Sequence, residues 1–183
     1  MDFVEDKDLV KEFLNGNEIA FRTIVDRYSK KIYWHARGML NNHFDADEVT
    51  QEVIIVLYKK LHTFNFNSAL YTWIYRITST RTLNLIRKKK IKELFSISDE
   101  EYENLKSEND ILKNFEHKDE IERIEKALQK IPIKQREVFI MKSFEEMSYK
   151  EISEITGKSV GGLKANYFHA LKKITELLNG KEW

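Results

Sequence analysis

Apolar residues along most of the chain recur every three or four positions, which is the period of an amphipathic helix. The pair Asn15-Gly16 predicts the end of a short helix over residues 8–14, because both residues tolerate a left-handed cap. Asn17 is then the predicted N-cap of a longer helix. Its apolar positions are Phe21, Ile24, Val25, Tyr28, Ile32, Ala36 and Met39.

Two further helices are predicted in the first half of the chain. Asp45 is the expected N-cap of the third helix, with Glu48 closing an acidic variant of the capping box. The buried stripe expected of this helix is Ala46, Val49, Val53, Val56, Leu57 and Leu61. The fourth helix is predicted over about residues 70–90, and its expected inward positions are Leu70, Trp73, Ile74, Ile77 and Leu85.

The helical period is lost over about residues 95–117, which are rich in acidic residues and predict a linker with helical pieces at most. It resumes over residues 119–130, with Ile121, Ile124 and Leu128 inward, and Pro132 marks the start of another helix. The chain is therefore predicted to be all-α, with two small helical domains joined by an acidic linker. The expected divisions are residues 1–92, a flexible linker over 93–118, and a C-terminal helix-turn-helix domain over 119–183.

The helix-turn-helix prediction depends on residues 148–174. Ser148 and Glu151 form a capping box, Gly157 permits a tight turn, and Ser159 is placed to cap the second helix, for which Val160, Leu163, Tyr167 and Ala170 are predicted to be buried. That helix would present Lys164, Asn166, His169, Lys172 and Lys173 outward, as a helix in a DNA major groove does. The alternative is a plain helical hairpin with solubilising lysines.

Composition narrows the possible classes of protein. One proline and six glycines in 183 residues argue against sandwiches and barrels, and the absence of cysteine excludes disulfides and thiolate zinc sites. The acidic N-terminus is unlike a signal peptide, and the longest apolar run, residues 53–58, is too short to span a membrane. We expect a soluble, cytoplasmic protein that does not insert into a membrane.

Charge is segregated along the chain although its formal net value is only +1. Residues 59–92 carry nine lysines and arginines and no acid, and residues 157–175 carry four lysines and no acid. Between them, residues 93–122 carry eleven acids against three lysines, a net charge of −8. Two basic blocks separated by an acidic stretch indicate two surfaces for a polyanion.

Aromatic and amide residues are interleaved with cations over residues 61–76. On the fourth helix, Arg76, Thr80, Leu83 and Arg87 share one stripe beside Trp73. Rings that stack a base, amides that bond its edge and arginines that hold phosphate suit an opened single strand. The alternative is that Trp73 belongs to the core.

The outer face of the third helix places an isoleucine among carboxylates and an amide. Such a small apolar anchor with a charged rim is typical of protein–protein contacts, although a solvated face with one stray isoleucine fits equally well. A metal or catalytic role of the carboxylates is disfavoured, because the nearest histidine, His43, is expected on a loop before the helix. The five histidines are scattered and no phosphate-binding loop or nucleophile motif is present, so no enzyme activity and no cofactor are predicted.

These features occur in an order that resembles bacterial RNA polymerase sigma factors of the sigma-70 family, in the extracytoplasmic-function (ECF) group. The resemblance extends over about residues 8–178. The segments that carry it are 17–21 (NEIAF), 45–53 (DADEVTQEV), 71–77 (YTWIYRI), 131–139 (IPIKQREVF) and 148–152 (SYKEI).

The resemblance implies three sets of site residues. The polymerase-binding set is Asp47, Glu48, Gln51, Glu52 and Ile55. The set for the minus-ten element, including a loop that holds a flipped base, is His62, Phe64, Asn65, Asn67, Tyr71, Thr72, Trp73, Arg76, Thr80, Arg87 and Lys88. The set for the minus-thirty-five element is Ser159, Gly161, Lys164, Asn166, His169 and Lys172.

The function implied is transcription initiation, with core RNA polymerase and promoter DNA as partners and a membrane-associated anti-sigma factor as inhibitor. The alternative is a two-domain helix-turn-helix regulator that acts without core polymerase. A carboxylate metal nuclease built on Asp47, Glu48 and Glu52 is a more distant alternative. We also hypothesise that the acidic linker repels free DNA or mimics nucleic acid in a polymerase channel.

Overall fold

The computed structural model describes residues 4–95 and 118–180. Eight α-helices and no strand occur within these ranges. In chain order they are α1 (Asp6–Leu14), α2 (Glu18–Leu40), α3 (His43–Lys60), α4 (Leu70–Phe95), α5 (Lys118–Lys130), α6 (Ile133–Ser143), α7 (Tyr149–Thr156) and α8 (Val160–Leu178). Most of the predicted linker, with its proposed charge roles, lies outside the described residues.

Helices α1 to α4 enclose the first core. Residues at three- and four-residue spacing on α2 and α3 meet there with the start of α4, and a 3-10 turn (Leu61–Thr63) joins α3 to the loop before α4. Several positions of the predicted stripes are only half-buried: Val25 on α2, Val56 on α3, Ile124 on α5, and Trp73, Ile77 and Leu85 on α4.

The start of α3 differs from the prediction. Asn42, not Asp45, is the N-cap, and its side chain accepts a hydrogen bond from the Asp45 amide at 3.0 Å. His43 is therefore the first residue of the helix rather than a loop residue. Either residue type can cap, and the earlier position adds helical hydrogen bonds.

The helix-turn-helix prediction is confirmed in its local geometry. Ser148 and Glu151 form both bonds of the capping box, Gly157 has a left-handed φ of 70°, and the Ser159 hydroxyl accepts from the Gly162 amide. Two positions of α8 that were predicted to be buried differ from the prediction: Val160 is 38% exposed and lies outside the core, and Tyr167 is half-buried.

The second half of the chain has two apolar clusters, and one of them includes a residue of the first half. Tyr75 of α4 packs with α6, α7 and α8, whereas Leu128, Phe139 and Ile174 form a separate cluster with their neighbours. Helix α2 crosses α6 at Gly38, where an added Cβ would lie 3.0 Å from Ile140 Cδ1. The two helical units therefore pack directly against each other.

Candidate functional site

The α3 face, defined as the outward residues Asp47, Glu48, Gln51, Glu52 and Ile55, occupies less than half the circumference of the helix. All but the half-buried Asp47 are exposed, and Ile55 keeps 52% of its surface in solvent. Glu52 is 3.6 Å from Arg81 of α4, and Asp47 is 3.3 Å from the Nε2 of His43. Both contacts lie at the solvent-exposed surface, beside an accessible apolar centre.

Phe44 belongs to this face, and the sequence analysis missed it. It precedes Glu48 by four residues and Ile55 by eleven, so it points in the same direction. Its side chain is well exposed, at 69%. Phe44 precedes the predicted N-cap at Asp45, but it lies within the helix because the observed N-cap is Asn42. In a helix that begins at residue 43, the spacing of Phe44 from Ile55 places both side chains on the same face.

The loop between α3 and α4 separates its side chains into exposed and buried sets. His62, Asn65 and Asn67 are exposed, as the minus-ten prediction requires. Phe64 is only 6% exposed and packs into the first core, with its ring centroid 5.5 Å from that of Trp73. Phe64 is therefore a core residue here and offers no open face to a base, which corrects its proposed role.

Helix α4 divides the remaining minus-ten residues in the same way. Arg76, Thr80, Arg87 and Lys88 do not lie in the core. Trp73 is half-buried and packs against the first core, and its role at a DNA base stays a prediction. Thr72 is 1% exposed and cannot reach DNA in this arrangement, which removes it from the contact set.

Two of these residues already have partners in α7. The Tyr71 hydroxyl donates to Glu151, and Arg76 donates to the main-chain oxygen of Glu154 at 2.6 Å. Partial burial, together with the bond to Glu151, raises the pKa of Tyr71 to about 12, so its hydroxyl stays protonated at neutral pH. The bond to Tyr71 in turn lowers the pKa of Glu151.

The α8 face consists of Ser159, Gly161, Lys164, Asn166, His169 and Lys172, all exposed except the half-buried Asn166. The Asn166 amide donates to the Gly162 carbonyl at 2.9 Å, and Lys164 lies 5.9 Å from the centre of the Tyr149 ring. Phe168 and Leu171 are also exposed, at 63% and 44%, which the sequence analysis did not anticipate. This face combines cations, an amide and apolar groups, as a base-contacting helix does.

Buried polar groups join the two units. Glu137 of α6, 1% exposed, accepts hydrogen bonds from Ser79 of α4 and from Lys158, whose Nζ is 2.6 Å away. His35 of α2 pairs with Glu145 at 2.8 Å. Burial acts to lower the pKa of His35, but the Glu145 charge and hydrogen bond outweigh it, so the pKa is raised above 6.5.

The metal alternative gains no support from the geometry. Over residues 4–95 and 118–180, no three His, Asp or Glu side chains are grouped so that they could hold a metal ion. Across those same segments, no helix is both long and apolar enough to span a bilayer.

Comparison with known proteins identifies the family. The Sigma-70 region 2 family model matches residues 24–91, and the Sigma-70 region 4 model matches residues 121–174. The ECF RNA polymerase sigma factor SigW of Bacillus subtilis (strain 168) is 32% identical over 179 residues, covering 94% of this chain and 96% of SigW. The chain belongs to the sigma-70 family, in its ECF group. The RNA polymerase sigma-H factor of Pseudomonas aeruginosa is 28% identical, covering 95% of this sigma factor and 94% of its own length.

Solved structures share the fold of this sigma factor. CnrH in complex with the cytosolic domain of CnrY has a TM-score of 0.73 at 22% identity, covering 97% of this chain and 99% of CnrH. The sigma factor RpoE of Bartonella quintana, in complex with the anti-sigma factor NepR, has a TM-score of 0.68 at 20% identity. The match covers 88% of this chain and 98% of RpoE. The all-α fold with a C-terminal helix-turn-helix is thus the fold of known sigma factors.

Proposed function

We propose that this sigma factor binds core RNA polymerase through its α3 face and directs it to promoters carrying minus-ten and minus-thirty-five elements. The observation that carries the proposal is the nearly full-length match to SigW, which is named as an ECF RNA polymerase sigma factor. The region 2 match includes the α3 face, the loop and most of α4, and the region 4 match includes the α8 face. All three surfaces therefore fall within matched segments.

At the minus-ten element, the exposed members of the predicted set would hold the opened strand. Asn65 and Asn67 offer donors and acceptors to a base edge, while Arg87 and Lys88 offer positive charge to phosphates. No Asp or Glu occurs over residues 59–92, so nothing within this segment opposes a polyanion. Tyr71 and Arg76 become available once they leave α7.

At the minus-thirty-five element, α8 would enter the major groove. Lys164 and Lys172 carry charge, His169 carries a polar ring, and all three are exposed. Ser159 fixes the start of the helix by capping it, as expected for the end that approaches the bases. Chemistry then belongs to the polymerase, and this factor needs no cofactor or metal of its own.

The same proposal includes an inhibitor and a location. CnrH and RpoE were solved with the cytosolic domain of CnrY and the anti-sigma factor NepR respectively, so we propose an anti-sigma factor for this chain as well. Polymerase and promoters are in the bacterial cytoplasm, and we place this protein there.

Complex formation with core RNA polymerase on a size-exclusion column tests the proposal. The variant with Glu52→Lys and Ile55→Asp should lose the complex that the wild-type protein forms. A matched control is Glu18→Lys with Ile19→Asp, because Ile19 is 71% exposed and both residues precede the region 2 match. Binding that survives the α3 changes would contradict the assignment of the α3 face. Duplex DNA binding without any polymerase complex would favour the regulator alternative.

A further inference from the structure

The end of α4 carries a dense block of positive charge. Five of the six residues over 87–92 are lysine or arginine, and Glu93 is the one acid over 87–95, which gives these nine residues a net charge of +4. All nine are exposed, and we call them the α4 tip. Lys89 donates to Asp45 at the start of α3, so the tip is attached to the first unit along one side.

Three large apolar side chains also lie in solvent on the α4 tip. Ile91, Leu94 and Phe95 keep 56%, 68% and 82% of their surface exposed. With 3.6 residues per turn, the three residues fall within an arc of about 100° and form one stripe along the helix. Adjoining exposed apolar groups mark a contact site for a partner or a membrane.

Cations border this stripe on both sides. The helical period places Lys88 about 20° beyond Phe95 on one edge and Lys90 about 40° beyond Leu94 on the other. Lysine can keep its hydrocarbon stem along an apolar surface while its charged head reaches the rim. The α4 tip is therefore amphipathic, with an apolar centre between two charged edges.

This arrangement fits an anionic bilayer better than it fits a nucleic acid. A helix with an apolar stripe beside lysines and arginines lies in the membrane interface, where headgroups meet acyl chains. Anionic headgroups attract the cations, and the boundary region accepts the apolar side chains. The phosphates of a nucleic acid would pair with the cations but would leave the apolar stripe in water.

We propose that the α4 tip docks on the surface of a bilayer that contains anionic lipid, with its three apolar side chains at the boundary between headgroups and acyl chains. The contact is peripheral, because the tip is only about two and a half turns long and lies on the bilayer without crossing it. Arg87 and Lys88 of the tip also belong to the predicted minus-ten set. A bilayer and an opened DNA strand would therefore exclude each other from this end of α4.

Co-sedimentation of the full chain with lipid vesicles at physiological ionic strength tests this. One set of vesicles contains phosphatidylcholine alone, and the other contains equal parts of phosphatidylcholine and phosphatidylglycerol. The apolar variant carries Ile91→Gln, Leu94→Gln and Phe95→Gln, since glutamine is well tolerated in helices. Circular dichroism checks that each variant keeps its helix content and unfolding temperature.

The matched control changes the same three residue types at exposed positions elsewhere, Leu14→Gln, Ile19→Gln and Phe144→Gln. We expect this control to bind anionic vesicles like the wild-type protein, whereas the apolar variant should bind at least about tenfold less tightly. A charge variant, Lys88→Gln with Lys90→Gln, should lose about 25-fold, because each cation near an anionic surface contributes about fivefold. Vesicles of phosphatidylcholine alone should bind the wild-type protein weakly.

The proposal is overturned if the wild-type chain stays in solution with the anionic vesicles, or if the apolar variant sediments as well as the matched control. In the second case, equal binding of both variants to soluble heparin would make the α4 tip a site for polyanions in general. Neither polymerase nor promoter is present in this test. A negative result therefore leaves the proposed function standing.

Discussion

Gly38 lies at the point where helix α2 crosses helix α6, and it lets the two helices approach closely. The position that a Cβ would occupy is 3.0 Å from Cδ1 of Ile140, which is the end of a flexible side chain. One added methyl group requires Ile140 to shift by a few tenths of an ångström. A larger, branched side chain needs more space than that shift provides. Close approach of the two units thus depends on a residue with no side chain.

Gly38→Val should lower the free energy of unfolding by about 1–3 kcal/mol through overpacking against Ile140. Gly38→Ala should be nearly neutral, since the gain in helix propensity offsets the tighter contact. Denaturant titration of the two variants measures both effects. Adding Ile140→Ala to Gly38→Val should cost less than the sum of the single changes, and strict additivity would contradict the contact.

Glu137 is a buried carboxylate shared by both units, bonded by Lys158 and Ser79. Glu137→Gln keeps its shape but removes its charge, so we expect a loss of about 1–3 kcal/mol in the free energy of unfolding. The control is Glu154→Gln on the exposed surface of α7. It should change stability by less than about 0.5 kcal/mol. Equal unfolding midpoints for the two variants would show that the buried bonds add nothing.

At the scale of helices, local signals determined which predictions were accurate. The capping box at Ser148 and the left-handed Gly157 act within a few residues, and so α7, its turn and the start of α8 could be predicted from sequence. The start of α3 could not, because Asn42 and Asp45 are both good caps and their competition is decided by the whole helix. That error concealed Phe44.

Phe44→Asp should weaken binding of core polymerase as strongly as Ile55→Asp, because both would put a charge in the apolar centre of the α3 face. Phe168→Asp is a matched control, since Phe168 is similarly exposed but lies on α8. Affinity measured by fluorescence anisotropy of the labelled factor checks this. Unchanged affinity for Phe44→Asp would limit the interface to the C-terminal part of α3.

Buried polar residues on α4 could not be predicted from the spacing of apolar residues. Thr78 and Thr82 are fully buried and Ser79 is 6% exposed, although their side chains are polar and none was predicted to face inward. The Thr78 hydroxyl donates a hydrogen bond to the Ile74 carbonyl, and the Ser79 hydroxyl donates one to the Glu137 carboxylate. The partner of Ser79 lies in the second unit, 58 residues away in sequence, and no local pattern encodes that pairing.

At the scale of the whole molecule, the His35–Glu145 pair links pH to the packing of the two units. The negative charge of Glu137 also raises the pKa of His35, and the centroid of the Tyr75 ring lies 5.6 Å from that of the His35 ring. Because the pKa of His35 is raised on folding, its contribution to stability is complete below the ordinary pKa of 6.5. That contribution is lost as the pH rises through the raised value.

The difference in free energy of unfolding between the wild-type protein and His35→Gln should therefore be larger at pH 6 than at pH 8.5. Denaturant titrations at a series of pH values measure it, and taking the difference cancels the titration of distant groups. A difference that stays constant over this range would mean that folding does not raise the pKa of His35.

The contacts of Tyr71 and Arg76 with α7 have a consequence for promoter selection if, as proposed, both side chains contact the minus-ten strand. A covalent connection gives one unit an effective concentration near the other of the order of millimolar. If the same contact between separate proteins had a dissociation constant of about 0.1 mM, it would be formed in roughly ten of every eleven molecules. Any DNA that needs these two side chains must first compete with α7, and its apparent affinity falls about tenfold. Weak sites fall below the threshold for occupancy while strong promoters stay above it, so a modest contact within the chain sharpens the choice among sequences.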